Sequence, residues 1–220
     1  MVEHDSTKQD DTLANVSSPV PDLVPLREQH AAVTRRAILQ AARRLFAERG
    51  FAATPVKLVA ERAGVAVQTV YATFGSKAGI LTGLVDLLDE QAGVMPLVDE
   101  LRQTEDPREM LRLNARLRRQ IRERCGDIVA MLRAGAGVDE RIASVWAEGM
   151  RRRHGGLSMV VEKLDSQGAL ADDLDPKRAA DIAAALVTDD ICDVLVEQRG
   201  WSFDAYEDWL AETLAGMLLR

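Results

Sequence analysis

The stretch Val56 to Tyr71, reading VKLVAERAGVAVQTVY, constrains the fold more than any other part of this 220-residue chain. It supplies two short helices meeting at a steep angle across a tight turn, an arrangement with narrow steric demands. The first helix needs a small residue where the second crosses it, and Ala60 is there. The turn needs a residue that tolerates positive φ, and Gly64 follows four positions later. Val59, Ala63, Val65 and Val70 fall where the two helices share a core with a preceding one. That preceding helix is legible in the apolar stripe Ile38, Ala41, Ala42, Leu45 and Phe46, with Gly50 as its cap and Phe51 folding back beneath it. Thr54 is expected to cap the second helix, with Pro55 in its first position. An unrelated helical hairpin shares parts of this pattern, but not the small, glycine and apolar positions together.

The net charge of −7 argues at first against a polyanionic partner. Its distribution argues the other way. Between residues 27 and 80 nine basic side chains face three acidic ones, a balance of +6, so the rest of the chain carries −13. A basic lobe on an acidic body suits a phosphate-binding module joined to a second domain, although chance clustering on a mixed surface gives the same numbers.

Aromatic residues are 4% of the chain, and Ala, Leu, Arg, Glu and Asp are abundant, which favours helices over sheets. Residues 1–26 are polar, acidic and interrupted by Pro19, Pro21 and Pro25, and are expected to be a disordered tail. Residues 27–79 read as a three-helix helix-turn-helix domain and residues 80–220 as a second helical domain, an all-α chain. A fourth helix, from about Ser76 to Asp89, ties the two together. Further helices are expected over 107–134, along Met110, Leu113, Leu117, Ile121 and Ile128, and over 139–167, along Ile142, Trp146, Met150, Leu157, Val161 and Leu164. Gly168 ends the latter and Pro176 opens the next. Residues 179–196 are apolar around most of a continuous helix, closed by Gly200, and Ser202 caps the last one.

The stretch Phe51 to Leu81 resembles the DNA-binding domain of the TetR family of bacterial regulators, through Thr54, Val59-Ala60, Ala63-Gly64-Val65, Thr69-Val70-Tyr71, Phe74, Ser76-Lys77 and Ile80-Leu81. The end of the chain, Glu197 to Ser202 and on to Trp209-Leu210, is similar to one branch of that family. Ala66 stands in place of the usual small hydroxyl at the start of the recognition helix, and Ala78 in place of the usual acid after Ser-Lys. The resemblance implies a dimer that binds double-stranded DNA at a palindromic operator, with a C-terminal ligand-binding and dimerisation domain. Recognition helices read base edges with their N-terminal residues. Here those are Val67, Gln68 and Ala72, helped by Lys57 from the helix before. Gln68 can bond adenine bidentately, while Val67 and Ala72 offer apolar contact. Thr54, Thr69, Tyr71, Thr73 and Lys77 carry hydroxyl, phenol or ammonium groups suited to phosphate. Gln68 also fits a solvated helix surface, and Tyr71 the edge of a core.

In the C-terminal half, Asn114, Leu117, Ile121, Met131, Trp146, Met150 and His154 are candidates for an effector pocket. Asn114 and His154 would be polar anchors in an otherwise apolar site, unless both are simply satisfied in the core or at its rim. With one aromatic, Trp146, and several methionines, such a pocket suits a flexible apolar ligand rather than a stacked cation, though core filling explains the methionines equally. The seven arginines from Arg108 to Arg124 read as a salt-bridged surface, and Asp189, Asp190 and Asp193 as partners for arginine rather than a metal site. Two apolar C-terminal helices suit a four-helix bundle with a second copy.

No nucleophile–base arrangement, phosphate-binding loop, dinucleotide fingerprint or zinc spacing is present, so neither an enzyme nor a cofactor or metal is expected. Cys125 and Cys192 read as reduced thiols. With no apolar run long enough to span a membrane and no signal layout at Met1, a cytoplasmic protein is expected. The expected function is a ligand-released repressor. The alternative is a DNA-binding regulator without a small-molecule effector, governed by a protein partner or its own concentration.

Overall fold

The structure, a computed structural model, describes residues 26–220. The expected tail at 1–26 lies almost wholly outside them. All named elements among the described residues are helical: α1 (Leu26–Arg49), α2 (Val56–Ala63), α3 (Val67–Phe74), α4 (Lys77–Ala92), α5 (Val94–Gln103), α6 (Pro107–Gly135), α7 (Glu140–Ser166), α8 (Pro176–Leu186), α9 (Asp189–Cys192), a π-helical segment (Asp193–Gln198) and α10 (Phe203–Leu218). This is the all-α chain the sequence implies.

Two apolar cores organise them. The first gathers Ile38, Leu45 and Phe46 of α1, Val59 and Ala60 of α2, Val70 of α3 and Ile80 and Leu84 of α4. It extends to Ile128 and Leu132 near the end of α6 and to Ile142 at the start of α7. The second is built from Met110 and Leu113 of α6, Leu157 and Leu164 of α7, Ala179 and Ala183 of α8 and Tyr206 and Leu210 of α10. Helix α6 thus runs through both. It bends between them at Cys125, whose backbone leaves the helical region at φ −136° and ψ 19°. Interrupting the hydrogen-bond ladder there lets each half of α6 present its apolar face to a different core.

The C-terminal region departs from the expected continuous helix at 179–196. Helix α8 ends at Leu186, Val187 leaves the helical region and Thr188 is extended before α9 begins. The cause is tertiary. Arg153 of α7 donates to the Val187 carbonyl at 3.3 Å and to Asp189 at 2.7 Å, holding the chain open where a helix would close on itself. The aspartates behave as the sequence suggests: Asp189 pairs with Arg153, Asp190 with Arg133, and Asp193 with Arg122 and Arg133.

Candidate nucleic-acid interface and effector cavity

The helix-turn-helix is built around the crossing of α2 and α3. Ala60 is buried, and Gly64 takes a left-handed conformation at φ 69° that ends α2. The Val65 N–H donates back to the Ala60 carbonyl at 3.0 Å, which closes the turn. Helix α3 starts at Val67 with Ala66 as a cap that offers no side-chain hydrogen bond. What fixes α3 is therefore packing: Val70 is sunk in the first core, with Val67 and Phe74 partly buried beside it.

The opposite face of α3 is open. Gln68 and Ala72 are exposed, Tyr71 is 48% exposed, and Thr69 is half-buried. Lys57 stands out from α2 with its nearest acid, Glu61, 3.9 Å away. The remaining expected contacts fare differently. Thr54 is fully buried, and its hydroxyl donates to the Gly50 carbonyl at 2.8 Å. It is neither a phosphate contact nor the cap of α2, whose capping position is Pro55 without a side-chain bond. A hydroxyl that close to an unpaired helix-end carbonyl satisfies it, and this pins the α1–α2 corner. The Thr73 hydroxyl donates to the Thr69 carbonyl at 2.7 Å. Lys77 reaches the Ala52 carbonyl at 3.3 Å with its ammonium 4.4 Å from the Phe51 ring centroid. Burial, and then the charge of Arg141, hold the Lys77 amine below its ordinary range against the pull of Asp139.

Several of the basic residues counted in the N-terminal lobe face the body of the protein. Arg35 pairs with Asp86 at 2.9 Å and Arg36 with Glu90 at 3.8 Å, both on α4. Arg43 grips Asp127 through two nitrogens at 2.6 and 2.5 Å and also donates to Gln91 at 2.7 Å. Part of the +6 balance is thus a set of stitches from α1 to α4 and α6.

Between α4, α5, α6 and α7 lies a cavity of about 450 Å³. Asn114, Leu117, Ile121, Trp146 and Met150 line it. His154 does not: it is exposed, and Arg153 faces the cavity in its place, drawn inward by Asp189. Met131 packs instead against the first core. The wall also carries Arg118, which sequence reasoning missed. It sits one turn beyond Asn114 on α6, and that spacing was the available signal, obscured by the run of arginines around it. Most of that run is salt-bridged as expected, Arg112 to Asp208, and Arg116 and Arg119 to Glu207. Arg108 and Arg124 make no ion pair with a described residue either but are exposed, whereas Arg118 is half-buried in the cavity wall without one. A wider depression of about 820 Å³ beside Arg43, Arg122 and Arg133 is lined by charges already paired with Asp127 and Asp193.

Among the described residues no group of His, Cys, Asp or Glu could hold a metal, and no helix is long and apolar enough to cross a membrane. Cys125 and Cys192 are buried free thiols, pushed up in pKa by that burial.

Solved structures that share this fold include these three. NalD, the secondary repressor of the MexAB-OprM multidrug efflux pump in Pseudomonas aeruginosa, is 23% identical with a TM-score of 0.70, over 87% of this chain and 98% of that one. The SmeT–triclosan complex is 19% identical with a TM-score of 0.69, over 85% and 92%. The transcriptional regulator FadR from Bacillus subtilis in complex with stearoyl-CoA is 20% identical with a TM-score of 0.66, over 82% and 97%. No curated protein matches the sequence. Residues 38–84 match the family model of bacterial regulatory proteins, tetR family, a span that runs from the core of α1 through α2 and α3 to the middle of α4. By that match residues 38–84 are similar to the DNA-binding part of the tetR-family regulators, and the chain as a whole shares the fold of the structures above.

Proposed function

We propose that the chain acts as a homodimeric repressor, released from a palindromic operator when a small molecule occupies the cavity between α4 and α7. Residues 27–79 would form the DNA-binding unit and residues 80–220 the sensing and pairing unit. One observation carries the reading: α4 belongs to both. Its first turn follows the recognition helix through a single tight turn at Gly75 and Ser76, and its Val85, Leu88 and Asp89 form part of the cavity wall. A ligand that repositions α4 therefore acts on the lever that holds α3.

The base-reading set is Gln68, with Val67, Ala72 and Lys57 beside it, and Thr69 and Tyr71 meet phosphate. Thr73 and Lys77 belong with them only after exchanging their present internal hydrogen bonds for the DNA backbone. In a dimer two recognition helices must sit about 34–36 Å apart to enter successive major grooves. A ligand that binds better to another spacing lowers operator affinity by its differential affinity for the two states, typically about 5–150-fold. That two structurally similar proteins were solved with triclosan and with stearoyl-CoA supports a ligand-holding role for a chain of this fold.

The test has two stages. Operator fragments selected from random duplexes give a target for fluorescence anisotropy, and Gln68→Ala should then lose about 1–3 kcal/mol and relax preference at one base pair. Ligands found by thermal shift should next weaken operator binding. An operator complex indifferent to every cavity ligand would refute the release mechanism while leaving the DNA-binding role intact.

A further inference from the structure

The cavity is apolar over most of its wall, yet its α6 side holds a charge without a partner. Arg118 lines it with no hydrogen bond or ion pair to another described residue, and its Nε is buried and unbonded. One turn earlier, Asn114 is 5% exposed and its side-chain oxygen is likewise buried without a partner. Arg153, also on the wall, is matched by Asp189 at 2.7 Å. Two guanidinium groups therefore share one carboxylate, and a single positive charge is left over. The acid at the cavity's other flank, Asp89, is engaged by Arg152 at 2.9 Å and does not compensate it. Leaving such a charge in an apolar setting is strongly unfavourable, so it persists only where something offsets it.

We propose that the effector is an organic acid with an apolar body, its carboxylate held by Arg118 and its body lying against Leu117, Ile121, Trp146 and Met150. The leftover charge is one, which matches a monoanion better than a doubly charged phosphate. The planar guanidinium presents parallel N–H donors that fit a carboxylate. The Asn114 amide, turned so that its nitrogen faces the ligand, adds a donor. A volume of about 450 Å³ falls within the range that buries a drug-sized molecule. Burial, with Arg153's like charge second, depresses the Arg118 pKa to about 10, still high enough to keep it cationic at neutral pH. The same charge disfavours cationic ligands. This inference rests on the effector reading above and narrows it.

Isothermal titration of the full chain with three matched probes, decanoate, decanol and decylammonium, tests it, and 2-naphthylacetate against 2-naphthylethanol repeats the comparison with an aromatic body. The acid should bind at least about tenfold tighter than its alcohol, with the amine weakest. In Arg118→Met the alcohol should still bind and the acid should lose its advantage. Arg118→Lys, which keeps the charge, should retain part of it and serves if the methionine variant does not fold. Equal or tighter binding of the alcohol or amine, or an acid preference that survives Arg118→Met, overturns the acid assignment and leaves the effector reading standing. Failure of every probe to bind counts against both.

Discussion

Thr54 shows how a residue with the right chemistry for DNA can be committed elsewhere. Its hydroxyl lies in the α1–α2 corner, bonded to the Gly50 carbonyl and within 3.3 Å of the Leu45 carbonyl. Thr54→Val should therefore lower stability by about 1–2 kcal/mol, read from a denaturant midpoint, because it strips a donor from buried carbonyls. It should leave the salt dependence of operator binding unchanged, whereas a phosphate contact would reduce the slope by about one. Gly79 makes a different demand. A Cβ at this position would lie 1.9 Å from the Phe74 carbonyl oxygen, so the close turn from α3 to α4 admits only hydrogen there. Gly79→Ala should cost about 2 kcal/mol or more and weaken operator binding further by tilting α3. Native-like stability with full DNA affinity in that variant would contradict the turn geometry.

Among the elements, α4 and α6 carry the connection between the two cores. The clearest tie is Arg43 of α1, which holds Asp127 just beyond the Cys125 bend and Gln91 at the end of α4. Burial pushes the Asp127 carboxyl upward, but the hydrogen bond and charge of Arg43 outweigh it and hold the group below its ordinary range. A carboxylate depressed in the folded state contributes stability above its unfolded pKa and loses it as pH falls through the folded one. Asp127→Asn should thus lower stability at neutral pH and flatten the decline on acidification, measured as urea midpoints from neutrality down through the carboxylate range. Wild-type and variant profiles that stay parallel would show that the pair is merely a surface contact.

At the scale of the molecule, part of the apolar surface that remains exposed lies where a second copy is proposed to sit. Val194, Trp201 and Met217 are 39%, 37% and 52% exposed along the π-helical segment, the turn after it and α10. Trp201 is steadied edge-on against Trp209, with ring centroids 6.3 Å apart. If this face pairs two chains, Met217→Asp should shift the protein toward monomer in sedimentation velocity at micromolar concentration. Operator affinity should fall with it, because one recognition helix alone cannot bridge two half-sites. A dimer that persists with unchanged stability would move the interface elsewhere.

The local architecture is legible in the order of residues alone. Periodicity placed α1, α4, α6 and α7. Ala60, Gly64 and Gly50 dictated the helix-turn-helix, because steric tolerance and positive φ are properties of a residue and its near neighbours. Within the cavity wall, Asn114, Leu117 and Ile121 on α6 and Trp146 and Met150 on α7 were legible for the same reason, since each set shares a face of its own helix. Groups that bond across long separations take their roles from the folded chain instead. Arg153 holds the Val187 carbonyl where the helix breaks and lines the cavity while His154 is exposed, Thr54 turns inward, and Arg43 clamps α1 to Asp127. Arg118 has no ion pair among the described residues because Asp189 and Asp89 beside the cavity are engaged by Arg153 and Arg152, and a charge's partner is set by the surrounding fold rather than by its neighbours in the chain.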